Sequence, residues 1–264
     1  MADRAVPRTV VITGASSGIG RALAQRYARD GARLGLLGRD RSRLEETCAQ
    51  CRKAGAEVRS GVLDVRARDD MAAWLVDLDA AWPVDLLIAN AGIMVGSPGG
   101  GELETAEDSL AAIEINVVGV LNAVHPVLPK MIARGHGQVG IISSLAGFIP
   151  LADAPSYCAS KAAVLSYGLG LRGAVEDKGV RVSVVCPGYV DTPMIAQETG
   201  WQPFKMSPKA AAEQTVRGLA ANRAVIAFPS VLATMSWIGG QLPDRVRRLT
   251  ARPFAFKVSS RDGA

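Results

Sequence analysis

The sequence is poor in cysteine and in long apolar runs, and each shortage excludes a class of protein. Its 264 residues include four cysteines, Cys48, Cys51, Cys158 and Cys186, which are too few for a disulfide scaffold of this size. No segment reaches the roughly 18 consecutive apolar residues that a membrane-spanning helix needs. The first ten residues also lack the apolar core of a secretory signal. We therefore expect a cytoplasmic protein in a reducing compartment.

Aromatic residues are also scarce, and the chain has no large excess of either positive or negative charge. Aromatic residues make up 5% of the chain, and the net charge is only +5. Basic residues are not interleaved with aromatics along a stripe, so we expect no nucleic-acid partner. Part of the charge comes from the residues after Pro243, where a solvated basic end is favoured over a membrane-surface or partner role. These basic residues are Arg245, Arg247, Arg248, Arg252, Lys257 and Arg261.

Candidate metal ligands are few and scattered. Cys48 and Cys51 have metal-like spacing, but no second Cys/His pair has a matching spacing. Their segment has a helical pattern, so structural cysteines are the favoured interpretation. His125 and His136 are isolated in the sequence. We therefore predict no metal site.

Short apolar segments alternate with longer helical patterns along the chain. The apolar segments predict seven strands, at 9–13, 33–37, 57–65, 84–90, 138–143, 181–186 and 224–228. The helical patterns lie at 19–31, 43–55, 68–81, 106–133, 156–178 and 208–221. Alternation of this kind indicates parallel strands joined by right-handed crossovers. Because the strands are almost wholly apolar, both sheet faces should be covered. We predict one doubly wound, Rossmann-type α/β domain over residues 1–264, with a mainly parallel seven-stranded sheet.

The segment TGASSGIG, residues 13–20, joins the first predicted strand to the first predicted helix. Gly14 permits a tight turn, Gly18 lets a pyrophosphate approach the backbone N–H groups, and Gly20 allows close helix–strand packing. The free N–H groups and the helix dipole at this point favour a phosphate group. A purely structural turn is the alternative, but the position at the first strand–helix junction favours nucleotide binding.

Further motifs follow the later strands. NAG occupies 90–92, SSLAG occupies 143–147 and PGYVDT occupies 187–192, while YCASK at 157–161 opens a helix. Together with the glycine turn, this order resembles the short-chain dehydrogenase/reductase family over about residues 8–228. The resemblance implies an oxidoreductase that interconverts a carbonyl and a secondary alcohol with a nicotinamide cofactor. The cofactor contacts that it implies are Gly14, Ser16, Ser17, Gly18, Ile19, Gly20, Asp64, Val65, Asn90, Ala91, Gly92, Tyr157, Lys161, Pro187, Gly188, Val190 and Thr192.

Tyr157 and Lys161 lie one helical turn apart, so both side chains leave the same face of the helix. A free tyrosine has a pKa near 10, and a nearby ammonium group favours the phenolate. We therefore expect Lys161 to lower the pKa of Tyr157 and make it a general acid/base. The resemblance adds that Lys161 holds the nicotinamide ribose. It also implies that Ser144 polarises the substrate oxygen beside Tyr157, and that Asn116 supports a water between Lys161 and solvent.

The second predicted strand ends in LLGRD, residues 36–40. An acidic residue at this point would bind the adenosine ribose of NAD, whereas an arginine would accommodate the 2′-phosphate of NADP. By comparison with the family, Gly38 takes the place of the acid and Arg39 follows it. We predict NADP(H) as the preferred cofactor, with NAD(H) possible because Asp40 could serve a ribose and Arg39 could be solvated.

The segment at 193–206 is the predicted lid over the substrate, with Met194 and Trp201 as substrate contacts. The segment at 93–101 should line the opposite rim. The apolar residues of the lid indicate a lipophilic or uncharged small molecule, although packing would explain them equally well. The extension at 229–264 is richer in apolar residues than a loose terminus needs. It could pack on the lid, contact another subunit or touch a membrane surface.

Oligomeric state and reaction type rest on the resemblance. The helices predicted at 106–133 and 156–178 match those that form subunit contacts in the family, which implies a homodimer or homotetramer. A catalytically silent cofactor-binding regulatory protein is an alternative, and the intact Ser144, Tyr157 and Lys161 set argues against it. A dehydratase or epimerase on the same fold is the other alternative.

Overall fold

The computed structural model describes residues 7–99, 102–251 and 256–258. The strands are β1 (Thr9–Thr13), β2 (Arg33–Gly38), β3 (Val58–Val62), β4 (Leu86–Ala89), β5 (Gly137–Ile142), β6 (Val180–Pro187), β7 (Glu198–Gly200), β8 (Val225–Phe228) and β9 (Phe256–Val258). The helices are α1 (Gly18–Arg29), α2 (Arg41–Lys53), α3 (Arg68–Ala81), α4 (Ala106–Ile113), α5 (Gly119–Arg134), α6 (Pro155–Val175), α7 (Pro208–Ala220), α8 (Ser230–Gln241) and α9 (Asp244–Ala251). Arg252 and Arg261 of the basic end, and the last two residues of the 93–101 rim, lie outside the described residues.

Seven strands form one parallel sheet in the order β3-β2-β1-β4-β5-β6-β8. The strand order reverses direction between β1 and β4, which pair side by side from Val10 and Leu86 onward. Ligands of such sheets bind in the crevice outside the carboxyl ends of the strands at this point. The predicted seven-stranded Rossmann-type sheet is thus confirmed, and its glycine turn lies at the reversal.

Alternate residues of the strands pack into two separate cores, one on each face of the sheet. In β1, Val10 and Ile12 contact the core beneath α1, α2 and α7, whereas Val11 contacts the core beneath α3, α5 and α6. Cys48 and Cys51 lie buried in the first core as free thiols. Both faces are therefore covered, which explains why the strands are apolar throughout rather than alternating.

The long helix predicted at 106–133 contains a local irregularity. Residues Glu114–Val118 form a π-helical turn between α4 and α5 and place Asn116 in the interior. Such turns are rare and concentrate at functional sites. The whole stretch Ala106–Arg134 is long and apolar enough to cross a membrane, but half of its most apolar window is buried inside the protein. Its contacts with α3 and β5 are those of a core helix.

The chain beyond the main sheet is more ordered than its sequence predicts. In the segment predicted as a lid, β7 pairs antiparallel with β9, so that Glu198 lies opposite Val258. The extension predicted at 229–264 contributes α8, α9 and β9 within the described residues. The pairing of β7 with β9 joins the lid segment to the extension. Among the three options for the extension, the structure therefore shows packing on the lid.

Candidate active site

The glycine turn adopts a conformation that only glycine tolerates at its key positions. Gly14 and Gly18 have φ angles of 67° and 54°, in the left-handed region. A Cβ on Gly14 would lie 2.8 Å from the Cα of Ala91, and one on Gly20 would lie 2.2 Å from the carbonyl oxygen of Gly14. Ser17 precedes α1 without capping it through its side chain. The first backbone N–H groups of α1 are thus available to an anion.

Side-chain hydrogen bonds tie the carboxyl ends of β1 and β4 together. The hydroxyl of Thr13 accepts hydrogen bonds from the backbone N–H groups of Asn90 and Ala91, both at 3.0 Å. The amide of Asn90 donates in return to the carbonyl oxygens of Thr13 and Gly14, at 2.9 and 3.2 Å. The NAG motif therefore fixes the glycine turn against the sheet.

A cavity of about 580 Å³ runs along the carboxyl ends of the parallel strands. Nearly all of the predicted site residues line it, although they are spread over most of the chain. Those that line it are Gly14, Ser16, Ser17, Gly18, Ile19, Arg39, Asp64, Val65, Asn90, Ala91, Gly92, Ser144, Tyr157, Lys161, Pro187, Gly188, Val190, Thr192 and Met194. Gly20, Asn116 and Trp201 are not among the lining residues.

Tyr157 and Lys161 lie on the buried face of α6, which points into this cavity. The ammonium nitrogen of Lys161 is 5.7 Å from the centroid of the Tyr157 ring and donates to the carbonyl oxygen of Ile142 at 3.2 Å. Ser144 ends the strand beside Ile142, and its hydroxyl accepts from the N–H of Ala146 at 3.1 Å. The fold thus brings three of the four predicted catalytic side chains, Ser144, Tyr157 and Lys161, to one wall of the cavity.

Burial dominates the acidity of both catalytic groups. It raises the pKa of Tyr157 to about 12, and hydrogen bonding with Ser144 lowers that pKa only in part. Burial likewise lowers the pKa of Lys161 to about 8. The expected lowering of the Tyr157 pKa by Lys161 is therefore wrong for the protein on its own. The physical reason is that desolvation disfavours both charged forms, and neither group offsets the pKa shift of the other.

Asn116 supports the site from behind the cavity wall. Its amide oxygen accepts from the N–H of Ile93 at 2.8 Å, and its amide nitrogen donates to the carbonyl oxygen of Ile93 and to the hydroxyl of Ser160. A Cβ on Gly92 would lie 3.0 Å from the Asn116 oxygen and 3.3 Å from the Lys161 nitrogen. Asn116 thus holds the strand end that faces Lys161, a positioning contact that the sequence did not predict.

A carboxylate that the sequence analysis missed holds the start of α6. Glu104 accepts a hydrogen bond from the backbone N–H of Ser156 at 3.0 Å and a second, very short one from the Ser156 hydroxyl. A negative charge at the first turn of a helix is favourable because that end carries partial positive charge. Glu104 therefore fixes the turn that bears Tyr157. In the sequence, only a capping motif next to α6 could have indicated this contact, and Glu104 lies too far before α6 to belong to such a motif.

The other end of the cavity carries a set of charged side chains after β2 and β3. Asp40 caps α2 by accepting from the backbone N–H of Arg43 at 2.8 Å, and it also pairs with the Arg43 guanidinium at 2.6 Å. Asp64 pairs with Arg66 at 2.8 Å and lies 3.7 Å from Arg39. The Arg66 guanidinium is the main cause of the lowered pKa of Asp64. Both acids thus have cationic partners, whereas Arg39 has only a long contact.

Similar proteins share both this sequence and this fold. A sequence profile described as short chain dehydrogenase matches residues 8–203. This chain belongs to the short-chain dehydrogenase/reductase family.

Two curated relatives illustrate the range of this family. An uncharacterized oxidoreductase of Myxococcus xanthus is 35% identical over 246 residues, which are 93% of this chain and 96% of the relative. A ketoacyl reductase of a Nostoc species is 32% identical over 221 residues, 80% of this chain and 75% of the relative. The predicted family and enzyme class are therefore confirmed, and the chain is a carbonyl/alcohol oxidoreductase.

Two solved structures of short-chain dehydrogenases have the same fold with a cofactor bound. The enzyme from Sphingobium yanoikuyae in complex with NADPH aligns with a TM-score of 0.77 at 28% identity and covers 97% of each chain. The enzyme from Mycobacterium paratuberculosis bound to NAD aligns with a TM-score of 0.73 at 28% identity, over 83% of this chain and 94% of the other. These likenesses support a nicotinamide dinucleotide as the cofactor class.

The cavity of this short-chain dehydrogenase fits such a dinucleotide. The glycine turn offers the free N–H groups of α1, and its bare Cα at Gly18 faces Thr192, whose Cγ2 would lie 3.0 Å from an added Cβ. Gly92 is similarly bare opposite Lys161. Both glycines therefore let side chains of the cavity wall pack closely against the backbone, and the phosphate groups of such a cofactor would meet the free N–H groups of the turn.

The substrate end of the cavity differs from its prediction in one residue. Met194 lines the cavity, whereas Trp201 does not and is 59% exposed. The structure therefore does not place Trp201 at the cavity, where its predicted contact with substrate would lie. Glu198 is buried where β7 pairs with β9, whereas Trp201 follows the end of β7 and is exposed.

Several lining residues of the substrate end were not predicted. They come from α8 and the residue after it, from β9, from the loop before α6 and from the segment after β6, and they are mostly apolar. They are Ile149, Leu151, Tyr189, Leu232, Met235, Ile238, Leu242 and Phe256, together with the acidic Glu198. The apolar content of the extension was a signal, but nothing in the sequence showed which of its faces the cavity would use.

No three His, Cys, Asp or Glu side chains of residues 7–99, 102–251 and 256–258 come together as a possible metal site. Cys48 and Cys51 instead pack in the core beside α1. Burial raises the pKa of the Cys51 thiol to about 11, which disfavours the thiolate that a metal would need.

Proposed function

We propose that this enzyme uses NADP(H) to interconvert a lipophilic carbonyl compound and its secondary alcohol, with Tyr157 as general acid/base. The observation that carries the proposal is the meeting of Ser144, Tyr157 and Lys161 on one wall of a cavity that continues to the glycine turn and Arg39. Tyr157 and Lys161 come from α6, whereas Ser144 comes from the segment after β5. Packing alone gives no reason for a lysine that is only 4% exposed to lie beside a tyrosine.

The chain's own residues supply proton transfer and orientation. At neutral pH the raised pKa of Tyr157 keeps its hydroxyl protonated, so it can donate to the oxygen of a bound carbonyl. Ser144 lies beside that hydroxyl and can donate a second hydrogen bond, which polarises the same oxygen. Lys161 holds positive charge below its pKa of about 8 and stabilises the phenolate as it forms. The cofactor, when bound, supplies or accepts the hydride.

Tyr157→Phe tests this role. The substitution removes the hydroxyl and keeps the ring, so we expect a folded protein that binds NADPH but loses about 10²–10⁴-fold in turnover. A panel of carbonyl compounds followed at 340 nm gives the rates, and fluorescence gives NADPH affinity. Tyr27→Phe is the matched control, since Tyr27 is equally buried in α1 but far from the cavity. Turnover of Tyr157→Phe within tenfold of the wild-type protein would refute the role of Tyr157, whereas a wild-type protein that reduces no carbonyl compound would favour the dehydratase or epimerase alternative.

The preference for NADP(H) rests on the arrangement after β2. Gly38 offers no carboxylate to a ribose, and a Cβ there would already lie 3.2 Å from the Ser16 hydroxyl. Asp40 is occupied by the N-terminus of α2 and by Arg43. Arg39 lines the cavity with its side chain 55% exposed, so it is available to a 2′-phosphate.

Arg39→Ala tests the cofactor preference. We expect the KM for NADPH to rise about tenfold or more while the KM for NADH changes less than about threefold. Arg41→Ala is the control, because Arg41 follows on the same turn but does not line the cavity. An unchanged KM for NADPH in Arg39→Ala, or a wild-type protein that prefers NADH, would refute this assignment.

Self-association is proposed through the outer face of α4, the π-helical turn and α6. Leu110, Ile113, Val118 and Leu169 are large apolar side chains between 40% and 64% exposed on these elements. Exposed apolar side chains on these packed elements support an interface between two copies of the chain. Light scattering of the wild-type protein and of Leu110→Glu would test it; a monomeric wild-type protein would refute it.

A further inference from the structure

The substrate end of the cavity is an apolar chamber that holds a single acidic side chain. Among the described acidic residues that line the cavity, Asp40 and Asp64 lie at the opposite end with their arginine partners. Glu198 lies instead among apolar residues of the lid segment, α8 and β9. The neighbours that line the chamber are Met94, Met194, Ile195, Leu232, Met235 and Phe256.

Within the part of the chain that the structure describes, the carboxylate of Glu198 has one oxygen without a hydrogen-bond donor. Its residue is only 6% exposed, and its Oε1 atom is buried without a hydrogen bond. Lys205, the nearest cation to influence it, forms an ion pair with Asp191 at 2.9 Å. A buried carboxylate without a donor is costly, so such groups in native proteins call for an explanation.

The backbone holds this side chain in place, so its position is not an accident of a loose loop. Glu198 pairs with Val258 across the two-stranded sheet of β7 and β9. Its carbonyl oxygen accepts a hydrogen bond from the side-chain amide of Gln202 at 3.1 Å. A residue fixed from both sides keeps its side chain inward, because alternate strand positions face opposite ways.

Glu198 also lies on the substrate side of the catalytic tyrosine. Its negative charge contributes to the raised pKa of Tyr157 and to that of Tyr189, another residue of the cavity wall. A substrate whose carbonyl oxygen is held by Ser144 and Tyr157 would extend into the apolar chamber. Its far end would then meet the unpaired carboxylate.

We propose that Glu198 is a specificity-determining residue that accepts a hydrogen bond from a hydroxyl or ammonium group at the far end of an otherwise apolar carbonyl substrate. The proposal rests on the function proposed above and adds the class of substrate to it. Because no described residue donates a hydrogen bond to Oε1 of Glu198, the ligand is the source of the partner in this proposal. A site built to receive a donor also rejects the analogue that lacks it, since the acceptor is then left unpaired.

The experiment compares matched ketones that differ in one donor. The 2-alkanones of eight to twelve carbons are assayed against their ω-hydroxy and ω-amino counterparts, with NADPH at 340 nm, for the wild-type protein, Glu198→Gln and Glu198→Ala. We expect the wild-type protein to favour one donor-bearing series by at least about tenfold in kcat/KM at the best length. That ratio should fall to about threefold or less in Glu198→Ala, mainly through KM, because the contact is remote from the reacting atoms.

The hydroxy and amino series identify the donor that the chamber accepts. Glu176→Gln is the control, because Glu176 is an exposed glutamate outside the cavity and should keep the wild-type ratio. A ratio that is the same in the wild-type protein and in both Glu198 variants at every chain length would overturn the proposal. So would a wild-type protein that prefers the plain ketones.

Calorimetry of ketone binding separates this proposal from the proposed function. If the wild-type protein binds a donor-bearing ketone more tightly than Glu198→Ala does but reduces no ketone, the proposed reaction is refuted and the role of Glu198 is supported. If the wild-type protein reduces ketones and neither binding nor turnover depends on Glu198, the role of Glu198 is overturned and the reaction stands. If the wild-type protein neither binds nor reduces any ketone, both proposals are overturned.

Discussion

Replacing Glu198 by glutamine should change how the stability of the protein depends on pH. Burial raises the pKa of this carboxyl from 4.5 to about 7 in the folded protein. Between these two values the folded state binds more protons than the unfolded state, so the free energy of unfolding falls as pH rises. Below pH 4.5 the carboxyl is protonated in both states, and its full stabilising effect is present. At 1.36 kcal/mol for each pH unit, the loss between pH 4.5 and pH 7 is about 3 kcal/mol.

Urea denaturation at pH 5 and pH 8 measures this loss. Glutamine does not titrate, so the free energy of unfolding of Glu198→Gln, relative to the wild-type protein, should be about 2–3 kcal/mol greater at pH 8 than at pH 5. Any fixed cost of burying the amide is the same at both pH values and cancels. Equal protein concentrations keep the contribution of self-association constant.

The choice of pH range keeps other shifted groups out of the measurement. The pKa values of Asp40 and Asp64 are lowered below their usual range, and Lys161, which titrates at about 8, is present in both proteins, so that its contribution cancels in the comparison. Glu176→Gln is again the control and should follow the wild-type protein at both pH values. If the stability difference between Glu198→Gln and the wild-type protein varied by less than about 0.5 kcal/mol between pH 5 and pH 8, the carboxyl would not be desolvated and the reasoning would fail.

Three further predictions concern the scaffold and the pair of catalytic groups. Asp79→Ala removes a carboxylate that is 4% exposed and pairs with Arg134 at 2.9 Å, so urea denaturation should show a loss of about 3–5 kcal/mol. Asp77→Ala removes an exposed ion pair with Arg59 and should lower the free energy of unfolding by less than about 1 kcal/mol in the same assay. A loss equal to that of Asp79→Ala would contradict the argument from burial. Gly20→Ala places a methyl group 2.2 Å from the Gly14 carbonyl oxygen, so NADPH affinity measured by fluorescence should fall at least about tenfold; unchanged affinity would mean that the turn is not the phosphate site. Reductive kcat/KM should decline above about pH 8 as Lys161 loses its charge, and Lys161→Arg should move that decline to higher pH; a profile unaffected by Lys161→Arg would exclude this titration.

Most of the fold could be predicted because its signals are local. Apolar strands such as β1 and β5 and the regular spacing of the helices give the α/β alternation directly from the sequence. The glycine turn was equally readable, since Gly14, Gly18 and Gly20 each meet a steric limit that no other residue satisfies. The catalytic side chains followed from the same kind of local spacing, as Tyr157 and Lys161 lie one turn apart on α6.

The substrate end could not be predicted because it depends on contacts between distant segments. Met194 and Trp201 looked alike in the sequence, as apolar residues of one short segment. The pairing of β7 with residues Phe256–Val258 decides that Met194 faces the cavity and that Trp201 does not. The same pairing buries Glu198, which in the sequence resembled any solvated acid. The role of Asn116 was hidden similarly, because its π-helical turn interrupts an otherwise regular helical pattern.

The pKa values of Tyr157 and Lys161 bear on the direction of the proposed reaction. Burial moves the two groups in opposite directions, to about 12 for the phenol and about 8 for the ammonium, and in both cases it favours the neutral form. A phenol that stays protonated at neutral pH is ready to give a proton to a carbonyl oxygen but is a poor acceptor of one from an alcohol. Glu198 strengthens this bias, since its charge raises the pKa of the same phenol. The oxidative direction therefore needs positive charge beyond that of Lys161, whereas the reductive direction uses the groups in the states in which the fold already holds them.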